Sequence, residues 1–382
     1  MKKLALILVL LAGLILPLAC TNNQPTGPLA TYNLTATFTI SFTPTATNWA
    51  GYTSTPTPGA GTNTATPLVT STPRNTSTSD STPTATFTIT ATVSQPTPVS
   101  TASAWLTGNV PPNGLAYDGS ATIYVAEGLE GLTGGQIQTF TASGTPVSVF
   151  STIGSYTFSQ PNGVAYSSYN GNIYVVDQVN NAVYEINPAG PTLVGSGPLT
   201  TWTSTGGDAP SSFSGPEGIA VDASGNVYVA DTGNDYVEVF HPSLSSAPVT
   251  EFGGSGSGNG EFNNPSAVAI DGSGNIYVAD ASNPQTGNNQ RVQIFSSSYA
   301  YSSQFSIGAD SDIYGMALSG GNIYLADSGT GQVEEYSTAG VFLTAGLGIS
   351  PTHSPSPDSL VFIGSNLLVG DYNNNQLYLV TP

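Results

Sequence analysis

Gly218-Ile219-Ala220-Val221-Asp222-Ala223-Ser224-Gly225-Asn226-Val227-Tyr228-Val229-Ala230-Asp231 is the stretch that decides the fold. It reads as an apolar run, a tight turn and a second apolar run. In the turn, Asp222 can bond its own backbone and Gly225 supplies a positive φ. Downstream, Thr232-Gly233-Asn234 is a second turn, Tyr236-Val237-Glu238-Val239-Phe240 an alternating strand, and Pro248-Val249-Thr250-Glu251-Phe252 a fourth. Two strands without polar alternation are covered on both faces, whereas the alternating ones lie further out.

The second apolar run recurs. Copies read Asn172-Ile173-Tyr174-Val175-Val176-Asp177, Asn275-Ile276-Tyr277-Val278-Ala279-Asp280 and Asn322-Ile323-Tyr324-Leu325-Ala326-Asp327. Weaker ones are Thr122-Ile123-Tyr124-Val125-Ala126-Glu127 and Asn366-Leu367-Leu368-Val369-Gly370-Asp371. The closing acids are therefore Glu127, Asp177, Asp231, Asp280, Asp327 and Asp371, separated by 44 to 54 residues. A strand-rich period of that length means propeller blades. The fold class is all-β: a six-bladed propeller of four-stranded antiparallel blades over 104–382. The last blade lacks a fourth strand before Pro382, and Ser103-Ala104-Trp105-Leu106-Thr107 has no blade of its own. The expectation is that this segment closes the ring and removes two open edges.

The pattern Pro-x-Gly-Ile-Ala-Val-Asp, Gly-Asn-Val-Tyr-Val-Ala-Asp, Asn-x-x-Val-x-x-Phe resembles the NHL repeat family, and blade three (216–252) follows it almost residue for residue. Ala267 replaces the Gly in blade four, and Ile313 replaces the Pro in blade five. NHL domains commonly serve as binding or scaffolding modules. The resemblance thus implies a protein- or glycan-binding role.

The N-terminal part is a different material. Met1-Lys2-Lys3 precedes an apolar run from Leu4 to Ala19, the layout of a secretory signal peptide. Leu16-Pro17-Leu18-Ala19-Cys20 resembles the bacterial lipobox, with Pro17 where Leu is usual. That implies cleavage before Cys20, its lipidation, and attachment to the cell envelope. Thr21 follows in place of an Asp that would favour the inner membrane, which points to the outer membrane in a diderm. Residues 21–103 are rich in Thr, Pro and Ser and are expected to form a disordered, extended stalk, on the order of 250 Å when fully drawn out. Within it Thr-Ala-Thr-Phe-Thr-Ile occurs at 35–40 and again at 84–89, an alternation that also fits strands.

Charge excludes one class of partner. Without the signal, only Arg74 and Arg291 stand against 23 Asp and Glu. Nucleic-acid binding needs Lys and Arg to displace counterions from phosphates, so it is excluded, and anionic lipid would be repelled. Membrane contact is left to Cys20, and the domain is expected to be a monomer. Cys20 is the sole cysteine, so no disulfide supports the fold.

Two rings of residues could carry chemistry. The six closing acids repeat in every blade, and an Asp before a Gly/Asn turn accepts backbone N–H bonds, so they are read as structural. The x residues of Pro-x-Gly do not repeat: Asn113, Asn162, Glu217, Ser266, Tyr314 and Asp358. All six inner strands run the same way, so these residues converge on one mouth of the channel. Such oxygen-rich side chains suit a polar ligand or a divalent cation such as calcium. Gluconolactonase-like propellers hold a divalent metal at this mouth, and that architectural resemblance singles out Asn162, Glu217 and Asp358 and implies a metal-dependent hydrolase as the alternative function. A structural envelope protein without a ligand is the third.

His241 and His353 are the only histidines, too few for a zinc site or a catalytic triad. The repeated Tyr124, Tyr174, Tyr228, Tyr277 and Tyr324 are expected in the core. Tyr156, Tyr169, Tyr299, Tyr301, Tyr372 and Trp202 are candidates for an exposed binding face, with Trp202 in the long loop 196–215.

Overall fold

The computed structural model describes residues 32–41, 68–70, 84–93, 104–106, 110–128, 134–195, 197–200, 212–240, 250–280, 290–308, 310–346 and 354–382. They fall into two compact units, divided between Thr97 and Pro98.

In the C-terminal unit, six four-stranded antiparallel sheets follow one another along the described chain. Blade three has the strands Ile219–Val221, Val227–Asp231, Tyr236–Phe240 and Thr250–Gly253 in that order from the axis outward. Residues 241–249, with His241 and the first two positions of the expected fourth strand, lie outside the described residues. The second strand is buried in every blade, save for its first residue in blades one, five and six, as its lack of polar alternation requires. The inner strand of each blade packs on that of the next, and the inner strand of blade six (Pro357–Ile363) packs on that of blade one (Pro112–Tyr117). The ring is closed.

Closure is completed as expected. Ala104–Leu106 pairs antiparallel with Gln376–Val380, so the chain's earliest propeller strand finishes its last blade. Leu377 lies opposite Trp105. The core is distributed between blades, with Tyr124, Tyr174, Tyr228, Tyr277 and Tyr324 all buried in it. Each blade thus buries its faces against its neighbours and cannot bury them alone.

The Pro-x-Gly motif has a packing cause. A Cβ on Gly163 would stand 2.5 Å from the Glu217 carbonyl of the next blade, and one on Gly218 2.5 Å from that of Ser266. Inner strands approach too closely there for a side chain. Where the glycine is missing the seam is built differently. In blade four Ala267 is buried, and the Ser266 hydroxyl donates to the Ile313 carbonyl. In blade six the Ser359 hydroxyl donates to the Pro112 carbonyl at 3.2 Å, joining last blade to first.

The N-terminal unit contains strands Tyr32–Ser41, Leu68–Thr70 and Thr84–Val93, with the third between the other two. The two copies of Thr-Ala-Thr-Phe-Thr-Ile face each other antiparallel, with Phe38 opposite Phe87. Those segments therefore depart from the expected disordered stalk. Their alternating β-branched residues are free of proline, so every N–H can join a ladder. The signal segment, Cys20 and the other residues of 21–103, bar the two strands and the short Leu68–Thr70, lie outside the described residues up to Ala104.

Candidate functional site

The inner strands carry a β-bulge at their start. In blade two Pro161 is opposite Asp177 and Gly163 opposite Val176, which leaves Asn162 as the extra residue. The same step isolates Asn113, Ser266, Tyr314 and Asp358. A bulge re-aims the side chain it carries. The residue type at this position is therefore released from the strand's packing, which is why it varies while its neighbours repeat.

Five of the six x residues, Asn113, Asn162, Glu217, Tyr314 and Asp358, line one cavity of about 330 Å³. Gln160, Gln178, Asp312, Ser328, Ser356, Tyr372 and Asn373 complete it. Ser266 does not: it is fully buried and bonded to the Ile313 carbonyl. Its small side chain is absorbed by the seam between blades four and five. Gln178 and Asp312 are the functional neighbours that sequence reasoning missed. Each lies just off the repeating motif, Gln178 after the acid that ends a second strand and Asp312 two residues before Tyr314.

Blades one to three contribute a directed line of amides. Asn113 Nδ2 donates to the Gly128 carbonyl at 3.1 Å and to Asn162 Oδ1 at 2.9 Å. Asn162 Nδ2 donates to Gln178 Oε1 at 3.1 Å, and Gln178 Nε2 to Glu217 Oε1 at 2.8 Å. The Gly128 carbonyl can only accept, and this fixes the orientation of every amide after it. Opposite, the Ser356 hydroxyl donates to Asp358 Oδ1 at 3.2 Å.

Burial dominates the electrostatics. It pushes the Asp358 carboxyl up to about 8, with the charges of Asp312 and Asp371 adding and the Ser356 bond opposing. Burial also lifts Asp312 to about 6, against a hydrogen bond from Tyr314. The Tyr314 phenol is raised by burial and then by Asp312, Glu217 and Asp358.

The six closing acids are elsewhere and fully buried. Asp177 accepts from the N–H groups of Ser159, Gln160 and Asn180 at 2.7, 3.0 and 3.2 Å. Asp231 takes the Ser214 N–H, Asp280 that of Asn263, Asp327 those of Asp312 and Thr330, and Asp371 those of Ser356 and Asn374. Each Asp thus ties the loop that enters its own blade to that blade's second strand. Through Asp312 and Ser356 this brace holds two walls of the cavity. Glu127 differs: its Oε2 accepts from Gln136 Nε2 at 2.6 Å, and burial raises it to about 7. Arg291 is spent on the same brace, since it pairs with Asp280 at 2.9 Å and reaches the Ser257, Gly258 and Glu261 carbonyls.

Of the aromatic candidates, Tyr372 lines the cavity, and Tyr169 is 60% exposed. Tyr299 and Tyr301 depart from the expected exposed face: they pack on Phe252 and Phe295 in the core between blades three and four. Trp202 and His353 lie outside the described residues.

Comparison with known proteins agrees with this architecture. A sequence family described as the SMP-30/gluconolactonase/LRE-like region matches residues 108–247, and the NHL repeat matches residues 262–295. The chain is a six-bladed β-propeller carrying an NHL repeat. No curated protein matches the sequence. Among solved structures it is similar to a gluconolactonase from Xanthomonas campestris, at 14% identity and a TM-score of 0.53, covering 74% of this chain and 91% of that one. It is also similar to virginiamycin B lyase from Staphylococcus aureus, at 11% identity and 0.51, covering 74% and 99%. These likenesses are of fold.

A divalent cation held as in the gluconolactonase-like arrangement would draw on Asn162, Glu217 and Asp358. The propeller gives them other partners. Asn162 Oδ1 and Glu217 Oε1 take hydrogen bonds from amides, and Asp358 Oδ1 takes one from Ser356. Among the described residues no three His, Cys, Asp or Glu side chains gather as a metal cage. In this arrangement the three oxygens serve the hydrogen-bonded wall.

Proposed function

We propose that this protein is a binding propeller of the cell envelope that takes a glycan at the mouth of its central channel. The directed amide line running from Gly128 to Glu217 beside an open cavity carries this reading. Amides and carboxylates held in fixed directions are what discriminates among the hydroxyls of a sugar, because a hydroxyl both donates and accepts. Tyr314 and Tyr372 bring aromatic rings to the same lining. The cavity's volume lies at the small end of the range of roughly 300–1,000 Å³ for ligand sites, enough for a terminal sugar unit. Lipidated Cys20 is the anchor and 21–103 the spacer, with the propeller outside the cytoplasm.

The test is a glycan array probed with the full chain and with Asn162→Ala and Glu217→Ala. Retention of a defined set of glycans by the parent, lost in both variants, supports the reading. A silent array sinks it and leaves an envelope protein without a specific ligand.

The second reading is a metal-dependent hydrolase of the gluconolactonase type, favoured by the family match over 108–247. It needs Asn162 and Glu217 to release their amide partners and share a cation with Asp358. Calorimetric calcium binding, abolished by Asp358→Asn, would favour it over glycan capture.

A further inference from the structure

Blade three carries a pair of acids where its neighbour has amides. Glu238 on the third strand and Glu251 on the outer strand are directly opposed in the antiparallel register. Directly opposed residues share a face of the sheet, with Cβ atoms about 4.5–5.5 Å apart. In blade four the corresponding pair is Gln293 and Gln304. Both are held there: Gln293 Nε2 donates to the Glu261 carbonyl, and Gln304 Oε1 accepts from Arg291. Tyr236 stands in blade three where Arg291 stands in blade four, so blade three lacks the arginine as well as the amides.

Glu238 is fully buried and neither of its oxygens has a hydrogen-bond partner; Glu251 Oε2 is buried and unpartnered too. A third acid shares their face. Val229 is the residue opposite Glu238, and Asp231 lies two places along the same strand. Asp231 is already taken by the Ser214 N–H and the Asn234 amide. Blade two meets this face with the apolar Val183 and Leu199, and Glu185 of its third strand is engaged by Tyr174 and Asn172. Arg291, the one cation among the described residues, is held by Asp280. Asp208 and His241 lie outside the described residues. Two ionised carboxylates only accept, so as ions Glu238 and Glu251 cannot bond each other. One proton changes this. The protonated carboxyl donates its O–H to the other, and one charge stands in place of two.

We propose that Glu238 and Glu251 share one proton, and that this proton latches the outer strand of blade three, Thr250–Gly253, onto the third strand. Its loss to solvent sets two like charges face to face across the ladder, which is destabilising. The outer strand yields, because it is the edge of its sheet and has a single ladder to hold it. Phe252 on that strand packs on Phe262 and Phe295 and closes the apolar seam between blades three and four, so release of the strand opens the seam. The direction follows from the environment. Burial, then Asp231 and Glu251, push the Glu238 carboxyl up to about 9, so the latch is closed in acid and released as pH rises toward that value.

The experiment is hydrogen–deuterium exchange of the full chain between pH 6 and 9, corrected for the intrinsic rate at each pH. It compares the parent with Glu238→Gln, Glu251→Gln and the double variant, which copies the blade four pair; melting temperatures show that each folds. In the parent, protection at 237–240 and 250–253 should fall at least about tenfold over that range, since one unit of proton linkage is tenfold in an equilibrium, while 292–295 and 302–305 of blade four hold steady. Either single amide supplies a fixed donor and should keep protection level, as should the pair. A fall that persists in Glu251→Gln would show Glu238 titrating alone and refute the shared proton. Equal loss in all six blades would refute a local latch, and constant protection in the parent would refute both.

Discussion

Glu238 should make the propeller less stable as pH rises, and Glu238→Gln should remove that loss. The residue lies in the third strand of blade three, is fully buried, and neither of its carboxylate oxygens has a hydrogen-bond partner. Glu251 stands opposite it on the outer strand. Burial, then the charges of Asp231 and Glu251, push its carboxyl up to about 9. A folded-state value above the unfolded value near 4.5 means that the folded protein holds the proton more tightly. The stabilisation is complete below pH 4.5 and is lost progressively as pH rises toward 9. At about 1.4 kcal/mol per unit, the interval from pH 5 to 8 corresponds to about 4 kcal/mol, reduced to about 2 kcal/mol by relaxation around a buried charge. For a domain of this size that is roughly 4 to 8 °C in melting temperature. Blade four shows that glutamine suits the position: Gln293 occupies it and donates to the Glu261 carbonyl at 2.6 Å. The assay is thermal unfolding of parent and Glu238→Gln chains between pH 5 and 8.5. The variant's advantage should grow with pH by that amount. Parallel curves, or a variant that is worse at pH 8, would refute the reasoning.

Other expectations follow from the same packing. Gly163→Ala should cost about 1–3 kcal/mol, read by denaturant unfolding, because its Cβ meets the Glu217 carbonyl at 2.5 Å and the strand must shift. Asp371→Ala should cost a similar amount by losing the Ser356 and Asn374 N–H bonds, and it should also weaken any ligand of the mouth, since Ser356 lines the cavity. Removal of residues through Thr107 should lower the melting temperature sharply by opening blade six, whereas removal through Thr97 should not; equal melting of the two truncations would contradict closure by Ala104–Leu106.

Much of the fold was legible because a propeller writes itself six times. Asn226 to Asp231 and its five copies mark every second strand, and the unpaired segment near Trp105 signalled the closing strand. The strands at 32–41 and 84–93 were signalled by alternation, but a composition rich in Thr, Pro and Ser argued the other way. The site was legible only where it departs from the repeat. The bulge frees the x position to vary, so Asn162, Tyr314 and Asp358 stood out, as did Glu217 at the corresponding place in blade three. Ser266 varies for a different reason, the hydroxyl bond to Ile313 that replaces a missing glycine's close packing. Gln178 and Asp312 reach the cavity from positions with no signature, since their roles come from spatial neighbours 39 residues away, as in Gln178 to Glu217, or from across the channel. The packing of Tyr299 and Tyr301 on Phe252 and Phe295 was equally beyond a reading along the chain, because it joins two blades.

The most direct test of the account is to map where a glycan retained on the array binds, by hydrogen–deuterium exchange of the full chain with and without it. The account predicts slowed exchange at the blade entrances 112–114, 161–163, 217–218, 312–315 and 356–358, with the outer strands unchanged. Slowed exchange confined to outer strands or to 32–93, with the blade entrances untouched, would contradict a channel-mouth site.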